Sequence, residues 1–485
     1  MKFLSKRCVV PAILLAILFS PVVCSAVQTR KPVSGIKTKP IYTADLAKSY
    51  LAEVAPLVEQ AAGRKLKKIP SIKLVTPEEI VPTLKLELIP QLRALLPGLS
   101  EDDIASYASG TAEAYSLAVL GKYGTSKQII YLIPANLPKR LKASDISQTD
   151  QQQVVELVIA HELTHALQDQ YVGLARLLRT SGSIEKSLAT NATMEGQAMF
   201  VQDQVAEALK FGDAQRKFAR ALVADPAAGK DPLSDIYTNM SSKVMRDIYM
   251  GGRDFIAWQY KAGGNERVWN ILAHPPANTS MIFHPDTYTQ DSTSTTDYAA
   301  VLKGMEKRFG NRNWTVQNNA VGEIQFRAVY APMDDKVRDK VITNIEQAQS
   351  LMASDGANGA ASIAVMVLKD SSIAPDMFSA IEQMTKANIE KINKGSSVKI
   401  SPPVFTDFSM DNVSAGRRFS FTVKQGKLSY PNEFVHVCRG RVALEIFTQK
   451  VDLPQKRAAD IAEEIFKRLP QNLTSPQQPR LQRPL

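Results

Sequence analysis

The sequence predicts an α+β fold: a mostly helical core with a short edge sheet, followed by a C-terminal module in which strands and helices mix. Three observations predict it. Apolar residues recur at helical spacing through most of 42–120 and again across 150–210. One short run, Lys127 to Ile133, is β-rich and closed by Pro134. Beyond residue 298, strand-like and helix-like runs follow one another without the regular alternation of a parallel βαβ protein.

The chain has 485 residues, enough for two or three domains, because single cores stop growing near roughly 250 residues. It opens with Lys2, Lys6 and Arg7, an apolar run from Val9 to Phe19, and the small-residue site Cys24-Ser25-Ala26. That pattern predicts a secretory signal peptide over 1–26, and hence export to the periplasm or the medium. The run is short of the roughly 20 residues that span a bilayer, so no stable membrane span is expected after cleavage. A lipid anchor on Cys24 is disfavoured because Val23 precedes it. Loss of the leader removes two of the three cysteines and leaves Cys438 alone, without an internal disulfide. The formal charge of +11 is a mild bias over so long a chain. No basic patch with interleaved aromatics accompanies it, which argues against nucleic acid as a partner.

Residues 27–41 carry charge and proline without apolar periodicity and are read as a disordered linker. From Thr43, a plausible cap, Leu46, Tyr50, Val54, Leu57 and Ala61 mark a helix stopped by Gly63. A strand at 72–75 and helices at 77–96 and 101–120 complete a helical N-terminal region, 42–120. The strand at 127–133 lies just before the next helix, a position suited to the upper edge of a substrate cleft; an ordinary sheet strand reads equally well.

That next helix carries the chemistry. After the apolar run Val154 to Ala160 stand His161-Glu162-Leu163-Thr164-His165. Histidines four apart on a helix share one face, so both imidazoles can converge on a single Zn²⁺. Glu162 follows the first of them, placed to reach an activated water and act as general base. A loop of ten to fifteen residues around Ser181-Gly182-Ser183 leads to a helix at 187–210 containing Thr193-Met194-Glu195-Gly196-Gln197-Ala198. Glu195, on a separate rigid element flanked by small residues, suits a third, carboxylate ligand that leaves the fourth position open.

With those residues in place, His161-Glu162-x-x-His165 and Glu195-Gly196 resemble the gluzincin (thermolysin-like) metallopeptidases. The fuller string His-Glu-Leu-Thr-His-Ala-Leu-Gln-Asp-Gln (161–170) with Glu-Gly-Gln-Ala (195–198) looks like a group of secreted bacterial zincin-like proteins. Later features of that group have counterparts in Tyr249, Gly252 and Phe255, Gly263-Gly264, Pro275-Pro276, and His284-Pro285 with Tyr288. The likeness covers about residues 120–290, so 121–290 is expected to be a zincin-like catalytic core. It implies a zinc-dependent hydrolase acting on peptide or protein substrates, with His161, His165 and Glu195 as ligands and Glu162 as general base. It also implies an oxyanion donor on a later segment, for which His284, then Tyr288 and Tyr249, are the candidates. The family's orienting aspartate, four residues after the ligand glutamate, is replaced by Met199; Asp203 and Asp169 are the substitutes at hand. Ser280-Met281 stands where the group carries an acidic-amide pair. A zincin-fold protein that binds peptide or serves envelope assembly with little or no hydrolysis stays open, as does hydrolysis of a non-peptide amide.

The C-terminal module is expected over 298–469. Helices are predicted at 298–309, 338–352, 377–393 and 455–469, and strands at 361–368, 418–423, 433–438 and 441–447. Gly416-Arg417-Arg418 and Cys438-Arg439-Gly440-Arg441 read as hairpin turns, and Cys438 as a buried small hydrophobe. The Pro- and Gln-rich 470–485 is read as a disordered tail. Nothing in the sequence indicates an oligomeric state.

Overall fold

The computed structural model describes residues 42–96, 99–138, 147, 150–179, 182–223, 232–289, 298–356 and 359–475. The expected leader and linker, most of the 138–149 connection, Ser181, the polar boundary at 291–296 and the tail after Ser475 lie outside the described residues. Helices and mostly antiparallel sheets make an α+β fold. Two compact units divide it, one within Pro21–Pro226 and Ser241–Thr293, the other within Ala227–Met240 and Ser294–Leu485. No helix among the described residues is long and apolar enough to cross a membrane.

In the first unit, helix α1 (Ala44–Ala62) is capped by Thr43, whose hydroxyl accepts from the Leu46 N–H, and ends at Gly63 with φ 67°. A residue with a Cβ is strained there. Strand β1 (Ser71–Leu74) leads through the Thr76/Glu79 capping box into helix α2 (Pro77–Leu95), and helix α3 (Glu101–Ser116) follows. Strands β2 (Gly121–Gly124) and β3 (Ile129–Leu132) complete a three-stranded sheet in the order β1-β3-β2. The strand expected to edge the cleft, β3, is therefore the central one: β1 pairs with it in parallel and β2 antiparallel. The edges are β1 and β2, and the Gly-Lys-Tyr-Gly of β2 has too little β propensity to be seen alone.

Helix α4 (Asp150–Val172) carries His161 and His165, with Asp150 as its first residue. Every residue from Val154 to Gln168 is buried, which accounts for its apolar character all round. It ends at Gly173 (φ 73°), and a short helix, Leu174–Arg179, occupies much of the expected loop. Helix α5 (Ile184–Ala208), capped by Ser183, packs on α4 and on helix α7 (Gly252–Ala273), with α6 (Gly212–Val223) beside α4. The N-terminal helices belong to this same unit. Trp269 of α7 donates its indole N–H to the Ala62 carbonyl at 2.8 Å, and Tyr171 its hydroxyl to Lys65 O at 2.9 Å.

The second unit is an eight-stranded sheet: β4 (Thr315–Ala320), β5 (Ile345–Ser354), β6 (Ala360–Leu368), β11 (Val442–Gln449), β10 (Leu428–Arg439), β9 (Ala415–Gln425) and β7 (Lys399–Ile400) in spatial order, with β8 (Val404–Asp407) also on β9. One face packs Leu351, Ile363, Val435, Leu444 and Ile446 against helix α9 (Gln455–Arg468). The other packs Phe419, Phe421, Phe434 and Phe447 against Ile389 and Ile392 of helix α8 (Ala374–Gly395).

Four expectations are corrected here. The helix predicted at 338–352 ends at Asn344, and Ile345 onward is a strand; pairing on both sides with β4 and β6 overrides the local preference of Glu346, Gln347 and Ala348 for helix. Tyr298 to Phe309 is two short helical pieces split by Gly304 at φ 77°. Gly416 to Arg418 lies within β9, not in a turn, whereas Gly440 (φ 56°) does turn β10 into β11. Gln471–Thr474, expected in the disordered tail, is a helical turn with Leu473 buried and its carbonyl accepting from Arg441 N at 2.7 Å.

Candidate metal centre

The four-residue spacing on α4 sets the His161 and His165 Nε2 atoms 3.2 Å apart, their rings edge to face. Glu195 reaches them from α5, its Oε2 3.1 Å from His161 Nε2 and 3.5 Å from His165 Nε2. Metal–ligand bonds of roughly 2.0–2.1 Å in a tetrahedron place neighbouring donors about 3.3 Å apart, so this triangle has the dimensions of one face of a zinc site. Among the described residues these three alone form a group able to hold a metal. Burial works to raise the Glu195 carboxyl, but His165 and His161 outweigh it and hold it well below the usual range. Burial works to lower His165, and there Glu195 and Glu162 prevail, raising it.

Gln168, one turn after His165, settles which nitrogen of that ring faces the cluster. Its Nε2 donates to the Met194 carbonyl at 2.8 Å and to Gln197 Oε1 at 3.0 Å, which leaves Oε1 to accept from His165 Nδ1 at 2.8 Å. His165 thus carries a proton on Nδ1 and presents Nε2 to Glu195. The orienter sought at Met199, Asp203 or Asp169 is this glutamine. Met199 is wholly buried, Asp203 accepts from Gln215, and Asp169 accepts from the Tyr123 hydroxyl and the Leu174 N–H. The signal was present in the sequence, since the i+3 position shares the helix face of His165.

Glu162 is fixed by strand β2. The Tyr123 N–H donates to Glu162 Oε2 at 2.5 Å, and the Tyr123 hydroxyl reaches Asp169 Oδ2 at 3.1 Å, two turns further along α4. A side chain on Gly121 would meet Val158 at 2.5 Å and Glu162 Cγ at 3.0 Å, so glycine is what lets the strand lie this close. No sequence reasoning singled out β2, Lys122, Glu87 or Tyr115. Lys122 sits on β2 with its ammonium 3.5 Å from Glu87 Oε2, and Tyr115 of α3 lies within the electrostatic reach of Lys122, Glu195 and Glu162.

Of the three oxyanion candidates, the structure brings Tyr249 to the cluster. It lies in a π-helical turn (Asp247–Gly251) leading into α7, the kind of bulge that aims side chains at sites, and stacks on His161 with ring centroids 6.0 Å apart. Burial first, then Glu195, Tyr115 and Glu162, raise its phenol well above the usual value, and its hydroxyl engages the Glu195 carboxylate. Tyr288 is spent elsewhere: its hydroxyl donates to the His274 carbonyl at 2.8 Å and its ring packs edge-on to Phe255. His284 closes the short helix Ser280–Phe283 through its backbone N–H and takes no place in the three-residue cluster. The His284-Pro285 element is pinned to α7 by Gln259, whose amide donates to Pro285 O at 3.0 Å.

No family model and no curated protein matches the chain. Among solved structures it is similar to a protein from Chloroflexus aurantiacus described as a "putative hydrolase with a novel fold", at 14% identity and a TM-score of 0.36, over 51% of this chain and 89% of that one.

Proposed function

We propose that the protein is an exported zinc-dependent metallopeptidase. The observation that carries this reading is the convergence of His161, His165 and Glu195 beside a glutamate, Glu162, that contributes to no ligand triangle and is held by a backbone N–H. A purely structural metal site has no use for a base in that place. Charge supports a cation there: the Glu195 and Glu162 carboxylates both lie within electrostatic reach of the His165 imidazole.

Zinc held by the Nε2 atoms of His161 and His165 and by Glu195 would supply Lewis acidity to the scissile carbonyl and bring the pKa of water toward neutrality. Glu162 takes the proton of the attacking water and delivers it to the leaving amine. The Tyr123 N–H holds one carboxylate oxygen and leaves the other for that exchange. Tyr249, neutral and beside Glu195, offers its O–H to the oxyanion that develops on the carbonyl. Gln168 keeps His165 in the tautomer that binds metal.

The test is to purify the chain without residues 1–26, count zinc per chain, and follow cleavage of unfolded protein substrates. One zinc per chain, with cleavage lost in Glu162→Gln but zinc retained, is expected. Bound zinc with no hydrolysis in the unaltered protein would overturn the reading in favour of a peptide-binding module.

A further inference from the structure

Lys122 is the residue of this region that the peptide-bond chemistry does not use. It lies on the edge strand β2 between two residues that both touch the general base. Gly121 leaves room for Glu162 where a Cβ would stand 3.0 Å from its Cγ, and Tyr123 donates its N–H to Glu162 Oε2. Alternation along the strand turns the Lys122 side chain to the opposite face, toward α2, where Glu87 waits. Glu87 is a fixed anchor: its other oxygen accepts from the Thr125 N–H at 2.8 Å and the Thr125 hydroxyl at 3.1 Å. The ammonium stands 3.5 Å from Glu87 Oε2, longer than an N–H···O hydrogen bond, and it carries three donors. Its side chain keeps 26% of its surface exposed. The pair with Glu87 thus leaves donors of the ammonium unused, on the strand whose neighbouring residue holds Glu162.

We infer that Lys122, steadied by Glu87, binds a carboxylate of the substrate alongside the scissile amide. Burial works against the charge on Lys122, but Glu87, Tyr115, Glu162 and Glu195 outweigh it and raise its pKa, so the cation persists across the working range of such an enzyme. A charge-assisted bond to a largely enclosed ammonium is strong enough to sort substrates. The carboxylate has two possible sources, the chain's own C-terminus or an acidic side chain near the cleaved bond. The first makes the enzyme a carboxyl-terminal exopeptidase, the second an endopeptidase selective for acidic sequences.

The inference rests on the peptidase reading for its setting, while its test reads binding. The zinc-loaded Glu162→Gln chain is titrated by calorimetry with one acetylated apolar pentapeptide bearing a free C-terminal carboxylate, with its C-terminal amide, and with two amidated versions carrying internal Glu or Gln. Binding about tenfold or more tighter for a carboxylate peptide than for its neutral counterpart is expected. That preference disappears when Lys122→Gln is added and survives Lys122→Arg. Preference for the free terminus identifies the first source, and preference for internal Glu the second. Equal binding of all four peptides overturns the inference, and that comparison needs no Lys122 variant to fold. A carboxylate preference that outlasts Lys122→Gln overturns it as well. Cleavage by the unaltered enzyme without any carboxylate preference refutes the inference and leaves the peptidase reading standing; absence of peptide binding refutes both.

Discussion

Each unit of the molecule brings a histidine against a glutamate, and the two pairs have different chemistry. In the helical unit His161 and Glu195 are 3.1 Å apart; in the sheet of the second unit His436 and Glu445 are 2.8 Å apart. Closeness therefore does not make a metal site. On α4 the helical repeat stacks a second imidazole on the first, and α5 delivers the carboxylate to both. In the sheet, His436 stands directly opposite Glu445, and the next side chains on that face are Phe434, Cys438, Ala443 and Phe447, which supply no third imidazole or carboxylate. His436 is wholly buried, stacked on Phe378 at 5.2 Å, with Nδ1 lacking a hydrogen-bond partner. The first pair is arranged to receive something; the second is enclosed.

Removing ligands should break the comparison most sharply. Glu195→Ala or His165→Ala is expected to weaken zinc binding roughly 10³-fold, emptying the site at micromolar zinc, whereas His436→Ala keeps one zinc per chain by elemental analysis. Loss of one member of the buried pair should register as stability instead. His436→Leu is expected to cost about 3 kcal/mol, because it strands Glu445, and His436→Leu with Glu445→Leu together to recover most of that in chemical denaturation. Gln168→Ala, which frees the His165 ring, should reduce zinc affinity about 10–100-fold in a chelator competition and also cost about 1–3 kcal/mol in metal-free denaturation, because the Met194 carbonyl and Gln197 lose their donor.

A third buried glutamate gives the smallest effect. Glu156, on α4 itself, has no imidazole beside it, and burial with the nearby Glu53 pushes it up to about 7 from 4.5. Its folded pKa is the higher one, so its contribution to stability is whole below pH 4.5 and is lost as the pH rises through about 7. Glu156→Gln, neutral throughout, should therefore gain on the unaltered protein between those values and level off above them, by on the order of 2 kcal/mol in metal-free denaturation. A flat difference across that range would remove the contrast with Glu195.

What could be read from the sequence follows from how local each relation is. The paired histidines depend on one helix repeat, and Glu195 on a second helix whose small residues announce close packing; both were visible. Gln168 was within reach by the same repeat, but an aspartate at Met199 was sought instead, from a family pattern that this helix pair does not use. The cleft-edge role fell on the β-rich run from Lys127 to Ile133, because Gly121 and Gly124 hide β2. Lys122 and Glu87 are brought together by sheet and helix packing, which no periodicity records. The strand from Ile345 was hidden in the same way, its residues favouring helix until two neighbours pair with it.

Beside Glu195, Gly196 faces Gly252 so closely that a Cβ on either would strike backbone, at 2.2 Å from Gly252 C and at 2.0 Å from Ala192 O. The helix bearing the carboxylate ligand and the turn bearing Tyr249 are thus joined main chain to main chain, three residues from the tyrosine. A side chain at either glycine would therefore have to push Tyr249 away from Glu195.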